Sequence, residues 1–375
     1  MQFLAIFWHG ELELGMGGND MRRTMWSPPT IPGDGREALD PRGRSCPLAY
    51  RYQPEALAGT AQLEAATVYV VGGLYGNPAA LAAVLERADR EPSGSPAVVF
   101  NGDFHWLDVD PEDFEAISET VLAHHATKGN VEAELASDED AGCGCAYPDY
   151  IRDNVVDRSN QIMTRLRATA SRFPSLARRF GELPRHLAAS VGGHRVGILH
   201  GDPESLAGWR LALEAMEPGD PLVRRRVGWH GQPTAATDLM DWFAHADVDV
   251  FASTHTGLPY AQLVPDGRHR RLVINNGAAG LPNFAGSTYG VMTRLSDDPR
   301  PPTDSLYRVS IGGLRGDALP VRFDPARWKE RFLAQWPPGS PGHHSYFTRI
   351  TRGTHLQLHQ AAREGVQLTA HGEQP

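Results

Sequence analysis

Runs of β-branched, aromatic and aliphatic residues that stop abruptly at a glycine and a polar side chain recur along this chain. Thr67 to Val71 is the clearest: it is closed by Gly72-Gly73 and has the composition of a buried strand. Pro78 to Arg87 follows, with Ala and Leu at helical spacing and a proline where a helix start tolerates one. Ala97 to Phe100 reads as a second strand running into Asn101-Gly102-Asp103, and Pro111 to His124 as a second helix. Further strands are expected at Val196 to Leu199, Val248 to Phe251, Arg271 to Ile274 and Tyr307 to Ile311. This alternation predicts an α/β core with a largely buried sheet.

The polar residues at the strand ends are Gly76-Asn77, Gly102-Asp103, Gly129-Asn130, His200-Gly201 and His255-Thr256. In open α/β sheets, ligands gather where loops leave the carboxyl ends of strands. A neighbouring glycine lets the backbone turn sharply there. One Asp, an Asn and two His are a donor set suited to a borderline divalent ion such as Mn²⁺, Fe²⁺ or Zn²⁺. Any one of them alone is more simply a turn former; the ordered series is what points to a shared site.

In their order these segments resemble the calcineurin-like metallophosphoesterases. Gly73-Leu74-Tyr75-Gly76-Asn77 stands where the family has Asp-x-His-Gly-Asn, and Gly102-Asp103 where it has Gly-Asp. Gly129-Asn130-Val131-Glu132 matches Gly-Asn-His-Asp/Glu, His200 matches a later strand-end His, and Thr254-His255-Thr256-Gly257 matches Gly-His-Thr-His. Ile274-Asn275-Asn276-Gly277-Ala278 is similar to the turn that commonly follows. The resemblance spans about Thr67 to Ile311. It implies a β-sandwich of two mixed sheets flanked by helices, with metal at the sheet edge.

The departures fall on one half of the implied two-metal site. One family metal is held by the first-motif Asp and His, the bridging Asp and the last His, and here three of those positions are Gly73, Tyr75 and Gly257. The other uses the bridging Asp, the Asn and two His, all present as Asp103, Asn130, His200 and His255. The resemblance therefore implies a divergent phosphoesterase that keeps one metal position and activates water with it; one ion is expected and a second is left open. Val131 replaces the His that often protonates the leaving group, so a substrate with a good leaving group is favoured. Asn77 and Tyr75 would line the substrate side, and His105, two residues beyond Asp103, would assist proton transfer. A histidine at Gly257 would be expected to restore metal affinity.

Cys143-Gly144-Cys145 is not explained by the resemblance. It is close enough in sequence to Asn130 for its thiols to act as extra ligands of a soft ion, or for one to act as a nucleophile. Arg158 and Arg165, within an arginine-rich stretch expected to be helical from Val155 to Ser190, could contact a phosphate. Two other readings follow: a non-catalytic binding protein on the same fold, and a thiol- and metal-dependent enzyme built on the Cys-Gly-Cys loop.

The 375 residues are divided into an N-terminal arm (1–52), a metallophosphoesterase-like domain (53–325) with a helical insertion at about 146–190, and a C-terminal extension (326–375). A net charge of −9 argues against a dedicated nucleic-acid surface. No apolar run is long enough to span a bilayer. Met1 to Trp8 lacks the basic leader of a signal peptide, and three cysteines make no disulfide framework, so a reducing cytoplasm is expected. The expected partner is a small phosphorylated substrate; self-association is compatible with the sequence.

Overall fold

The structure is a computed structural model, and residues 42–267 and 269–369 are described. Most of the arm, residues 1–41, lies outside them. Two mixed sheets face each other. The first has strand order β1 (Leu63–Ala65), β5 (His186–Val191), β6 (His194–Leu199), β7 (Val250–Ser253), β9 (His269–Asn275) and β8 (Tyr260–Asp266). The second runs β13 (Gln367–Leu368), β11 (Tyr307–Ile311), β12 (Leu314–Val321), β10 (Gly290–Ser296), β2 (Thr67–Val71), β3 (Ala97–Asn101) and β4 (His125–Thr127). Two parallel trios, β2-β3-β4 and β6-β7-β9, put their carboxyl ends at one edge.

Alternation along β2 builds both layers. Val68 and Val70 point between the sheets, against Val196, Ile198, Val250 and Ile274. Tyr69 and Val71 point outward onto Ala80, Leu81 and Val84 of α1 (Pro78–Asp89). A strand buried on both faces must be apolar throughout, as Thr67 to Val71 nearly is. Asn101, at the end of β3, ties the sheets together. Its Nδ2 donates to the Leu199 carbonyl and to Thr254 Oγ1, both at 2.8 Å, and its Oδ1 accepts from Thr127 at 2.7 Å.

The remaining helices are α2 (Pro111–Leu122), α3 (Asn130–Leu135), α4 (Asp153–Ala170), α5 (Pro174–Glu182), α6 (Pro221–Val227), α7 (Ala236–Ala246), α8 (Pro325–Gln335), α9 (Pro341–Arg352) and α10 (Leu358–Ala361). Five of the ten α-helices among the described residues begin with a capping Asn, Asp or Ser followed by proline: Asn77, Asp110, Asp220, Asp324 and Ser340 each accept a backbone N–H of the first turn. Such a cap contributes about 1 kcal/mol.

The arginine-rich stretch departs from expectation. Helix ends at Glu182, and His186–Val191 is strand β5, a hairpin with β6 across Gly192-Gly193. Leu187, Ala189 and Val191 enter the core at period two, which an Ala- and Leu-rich composition disguised as helix. The C-terminal extension is integral. Trp328, Phe332, Trp336, Tyr346 and Ile350 from α8 and α9 share a core with Ile162, Met163 and Leu166 of α4.

Candidate metal centre

The aligned carboxyl ends of the strands bring four predicted ligands together. Asp103 follows β3, Asn130 opens α3 after β4, His200 follows β6 and His255 follows β7. One ligand atom from each of Asp103, His200 and His255 lies within 4.8 Å of the others. His200 Nε2 is 3.4 Å from Asp103 Oδ1, 3.3 Å from Asn130 Oδ1 and 3.3 Å from His255 Nδ1.

Backbone carbonyls fix which atoms face inward. His200 Nδ1 donates to the Asn101 carbonyl at 2.9 Å, leaving Nε2 toward the site. His255 Nε2 donates to the Cys145 carbonyl at 3.1 Å, leaving Nδ1 inward. Asn130 Nδ2 donates to the Cys143 carbonyl at 2.9 Å, which turns its Oδ1 inward. Two imidazole lone pairs and two oxygens thus converge, and lone pairs this close repel unless a proton or a cation lies between them. Orientation of a ligating histidine through its second nitrogen is the usual arrangement at metal sites.

The charges follow the same geometry. Burial raises the Asp103 carboxyl, but His200 and His255 outweigh it and hold it below the ordinary aspartate range. Burial opposes charge on His200, while Asp103 more than compensates and raises it. Burial and the neighbouring His200 push His255 down to about 3. Asp103 is thus held as a carboxylate facing the two imidazoles.

Asp103 holds a left-handed φ of 58°, uncommon for a residue with a side chain. Glu132, the last residue of the third motif, clamps it there. Its buried carboxylate accepts the backbone N–H groups of Asp103, Phe104 and Gly129 at 2.8, 2.9 and 2.8 Å. Strain of this kind persists where the surroundings enforce it, commonly at functional sites.

The Cys-Gly-Cys loop does reach the site, chiefly through its carbonyls, with the Cys145 sulfur accepting a longer bond from Asn130 Nδ2 at 3.6 Å. Gly144 (φ 63°) lets the Cys143 and Cys145 carbonyls reach Asn130 and His255, and a Cβ there would meet Tyr50 Oη at 2.5 Å. Burial pushes the Cys145 thiol well up, so it is no ready thiolate, and Cys143 is fully enclosed. Cys46 is partly exposed. Iodoacetamide applied to the native protein is accordingly expected to label Cys46 first; mass spectrometry showing Cys145 modified fastest would contradict this placement.

Several expected site residues lie elsewhere. His105 is buried beside Phe114 and Phe180, with Nδ1 3.2 Å from Asp108 and Nε2 3.0 Å from Ser118, so both nitrogens are committed away from the ligands. Asn77 caps α1, accepting from Ala79 and Ala80 and donating to the Gly280 carbonyl. Arg158 bonds Ser345 on α9, and Arg165 bonds the Gln335 carbonyl and stacks on Trp336. The two arginines bond the C-terminal helices and form no hydrogen bond or ion pair with Asp103, Asn130, His200 or His255. Gly257 has φ 60° and its carbonyl accepts from Arg349, so a histidine there would be strained rather than a ready replacement ligand.

Tyr75, expected to line the substrate side, is buried, and its backbone N–H donates to the Asp103 carbonyl at 3.2 Å. Tyr50, Trp209 and Arg349 were not anticipated as neighbours of the site. Tyr50 Oη donates to Glu134 at 2.7 Å, next to the Asn130 turn, and Trp209 Nε1 donates to the Cys145 carbonyl while its ring meets His255 edge-on. None of the three sits in a recognisable motif; Tyr50 alone had a signal, the aromatic cluster at the end of the arm.

No family model matches the chain, and neither does any curated protein. Among solved structures it is similar to a metallophosphoesterase from Sphaerobacter thermophilus, with 18% identity over 77% of this chain and 100% of that one, at a TM-score of 0.45. It is also similar to the hypothetical protein PH1004 from Pyrococcus horikoshii OT3, with 15% identity over 77% of this chain and 99% of that one, at a TM-score of 0.48. No described helix is long and apolar enough to cross a membrane. In its two mixed sheets flanked by helices, and in the order of its strand-end residues, the chain resembles the calcineurin-like metallophosphoesterases.

Proposed function

We propose that the chain is a metal-dependent hydrolase that holds one divalent ion on Asp103, Asn130, His200 and His255 and acts on a small phosphoester. The observation that carries this reading is the inward orientation of four donor atoms, three of them fixed by backbone carbonyls. Two imidazoles, a carboxylate and an amide oxygen suit Mn²⁺, Fe²⁺ or Zn²⁺. Such an ion supplies Lewis acidity toward a phosphoryl oxygen and lowers the pKa of water.

The chain's own residues determine the rest. Asp103 supplies the negative charge of the ligand set and is held rigidly by Glu132. Val131 offers no proton where the resemblance places a general acid, and His105 faces away. A departing group must therefore leave without protonation, which selects phosphoesters of acidic alcohols or phenols. Enclosure limits size: Asp103 is 5% exposed and His255 8%, with Asn130 and His200 more deeply buried.

The test is turnover of nitrophenyl phosphate mono- and diesters by Mn²⁺-loaded protein. Hydrolysis is expected for at least one ester, absent after chelation and in Asp103→Asn. That same enclosure favours a second reading, a binding protein that retains metal without catalysis. Retained metal with no turnover of either ester would favour it over the hydrolase.

A further inference from the structure

The half of the site that the resemblance leaves without ligands is filled by a phenol and a guanidinium. The Tyr75 ring lies against Gly73: a Cβ on that glycine would stand 2.5 Å from Tyr75 Cε2. From the C-terminal side, α9 brings Arg349 to the same place. Its Nη2 donates to the Gly257 carbonyl at 2.9 Å and its Nε to the Pro282 carbonyl at 2.8 Å. Gly73 is thus covered by the Tyr75 ring and the Gly257 carbonyl is held by Arg349, while Tyr346, one turn before Arg349 on α9, has its ring centroid 6.3 Å from that of Tyr75.

Each of these side chains has a polar atom with nothing to bond. Tyr75 Oη and Arg349 Nη1 are enclosed and have no hydrogen-bond partner among the described residues. Arg349 is fully buried, and its partners are neutral oxygens of Pro282, Gly257 and Asn283. A buried donor left unpaired is costly, and a buried guanidinium without a counter-charge more so. Tyr75 also borders the ligand set, since its N–H donates to the Asp103 carbonyl at 3.2 Å. A guanidinium held by its Nε and Nη2 presents Nη1 in a fixed plane, the geometry that suits phosphate oxygens.

We propose that Arg349 and Tyr75 form an anion cradle beside the metal centre, donating from Nη1 and Oη to the oxygens of a small phosphoryl group. The proposal rests on the functional reading above and deepens it. Positive charge that the family draws from a second ion comes here from an arginine on the C-terminal extension.

The experiment is calorimetric titration of inorganic phosphate into the Mn²⁺-loaded full chain, with metal content measured on the same samples. Wild type is expected to bind phosphate. Tyr75→Phe should weaken it about 10-fold, as loss of one hydrogen bond implies, and Arg349→Lys should weaken it further. Both variants should retain the metal. Tyr75→Phe should also melt no lower than wild type without phosphate, because the hydroxyl removed had no partner. A purely structural tyrosine would leave phosphate affinity unchanged. Metal-loaded wild type that binds no phosphate, or Tyr75→Phe that binds it as tightly as wild type, would overturn the cradle while leaving the metal centre standing. Wild type that holds no metal would instead overturn the reading beneath it. Tyr75→Phe carries the test even if Arg349→Lys fails to fold.

Discussion

His200→Ala is expected to weaken divalent-metal affinity by more than about 100-fold, and Asn130→Ala by at least about 10-fold. Loss of a residue that merely orients a ligand typically costs 10–100-fold, so loss of a ligand should cost at least as much. His200 sits at the centre of the set, 3.3–3.4 Å from three other donors, whereas Asn130 contributes one neutral oxygen. Thermal unfolding provides the readout. Metal at 100 times its dissociation constant should stabilise wild type by about 2.7 kcal/mol and His200→Ala by almost nothing. Equal stabilisation of both proteins by Mn²⁺ or Zn²⁺ would place the ion elsewhere.

Asp108→Asn should stabilise the protein at alkaline pH and change little in acid. Asp108 lies 3.2 Å from His105, but burial, with Asp113 and Asp110 adding to it and Arg331 opposing, pushes its carboxyl up to about 9. Burial pushes His105 down to about 4 against the opposing charge of Glu132. The pair is therefore neutral, with a protonated carboxyl donating to Nδ1. Because the folded pKa of Asp108 exceeds the unfolded value, its contribution is fully present below about pH 4 and is lost as pH rises toward 9. Asparagine donates the same hydrogen bond and never ionises, so the variant lacks this decline. At about 1.4 kcal/mol per pH unit, a displacement of even two pH units implies about 3 kcal/mol in favour of Asp108→Asn at pH 8.5. The His105 contribution falls in acid in both proteins and cancels in the difference. Urea unfolding at pH 5 and pH 8.5 measures it; a difference that does not grow with pH would mean that Asp108 is ionised in the folded state.

Of the strands that carry the ligands, β3, β6 and β7 were legible as apolar runs, whereas β4, His125-Ala126-Thr127 ahead of Asn130, is too short and polar to read as a strand. Thr67–Val71 and Tyr307–Ile311 fall at their expected residues, and Ala97–Asn101 extends the expected run by one. Strands β10 and β12 were not legible, for a physical reason. Arg294 interrupts β10 and Asp317 interrupts β12, yet both are buried, Arg294 pairing with Glu91 at 2.8 Å and lying 3.7 Å from Asp317. Charges that satisfy one another across a fold look like surface in a linear reading.

At the site, Asp103, Asn130, His200 and His255 could be picked out because a strand end followed by a sharp turn is a local signal. Arg349 could not. It lies 92 residues beyond Gly257 on a helix whose local pattern says only that one face is buried. The cysteines were noticed for their sulfur, whereas their carbonyls do the orienting, and a sequence carries no mark of which carbonyl faces a ligand. His105 was drawn to the site by proximity in sequence; the left-handed turn at Asp103 sends the following residues into the aromatic core.

The central claim is a single metal position, its neighbour taken by Tyr75 and Arg349. Elemental analysis of untagged protein purified without chelator and loaded with Mn²⁺ or Zn²⁺ tests it most directly. Close to one tightly held ion per chain is predicted, falling to none in His200→Ala. Two ions per chain, or none after loading, would contradict it.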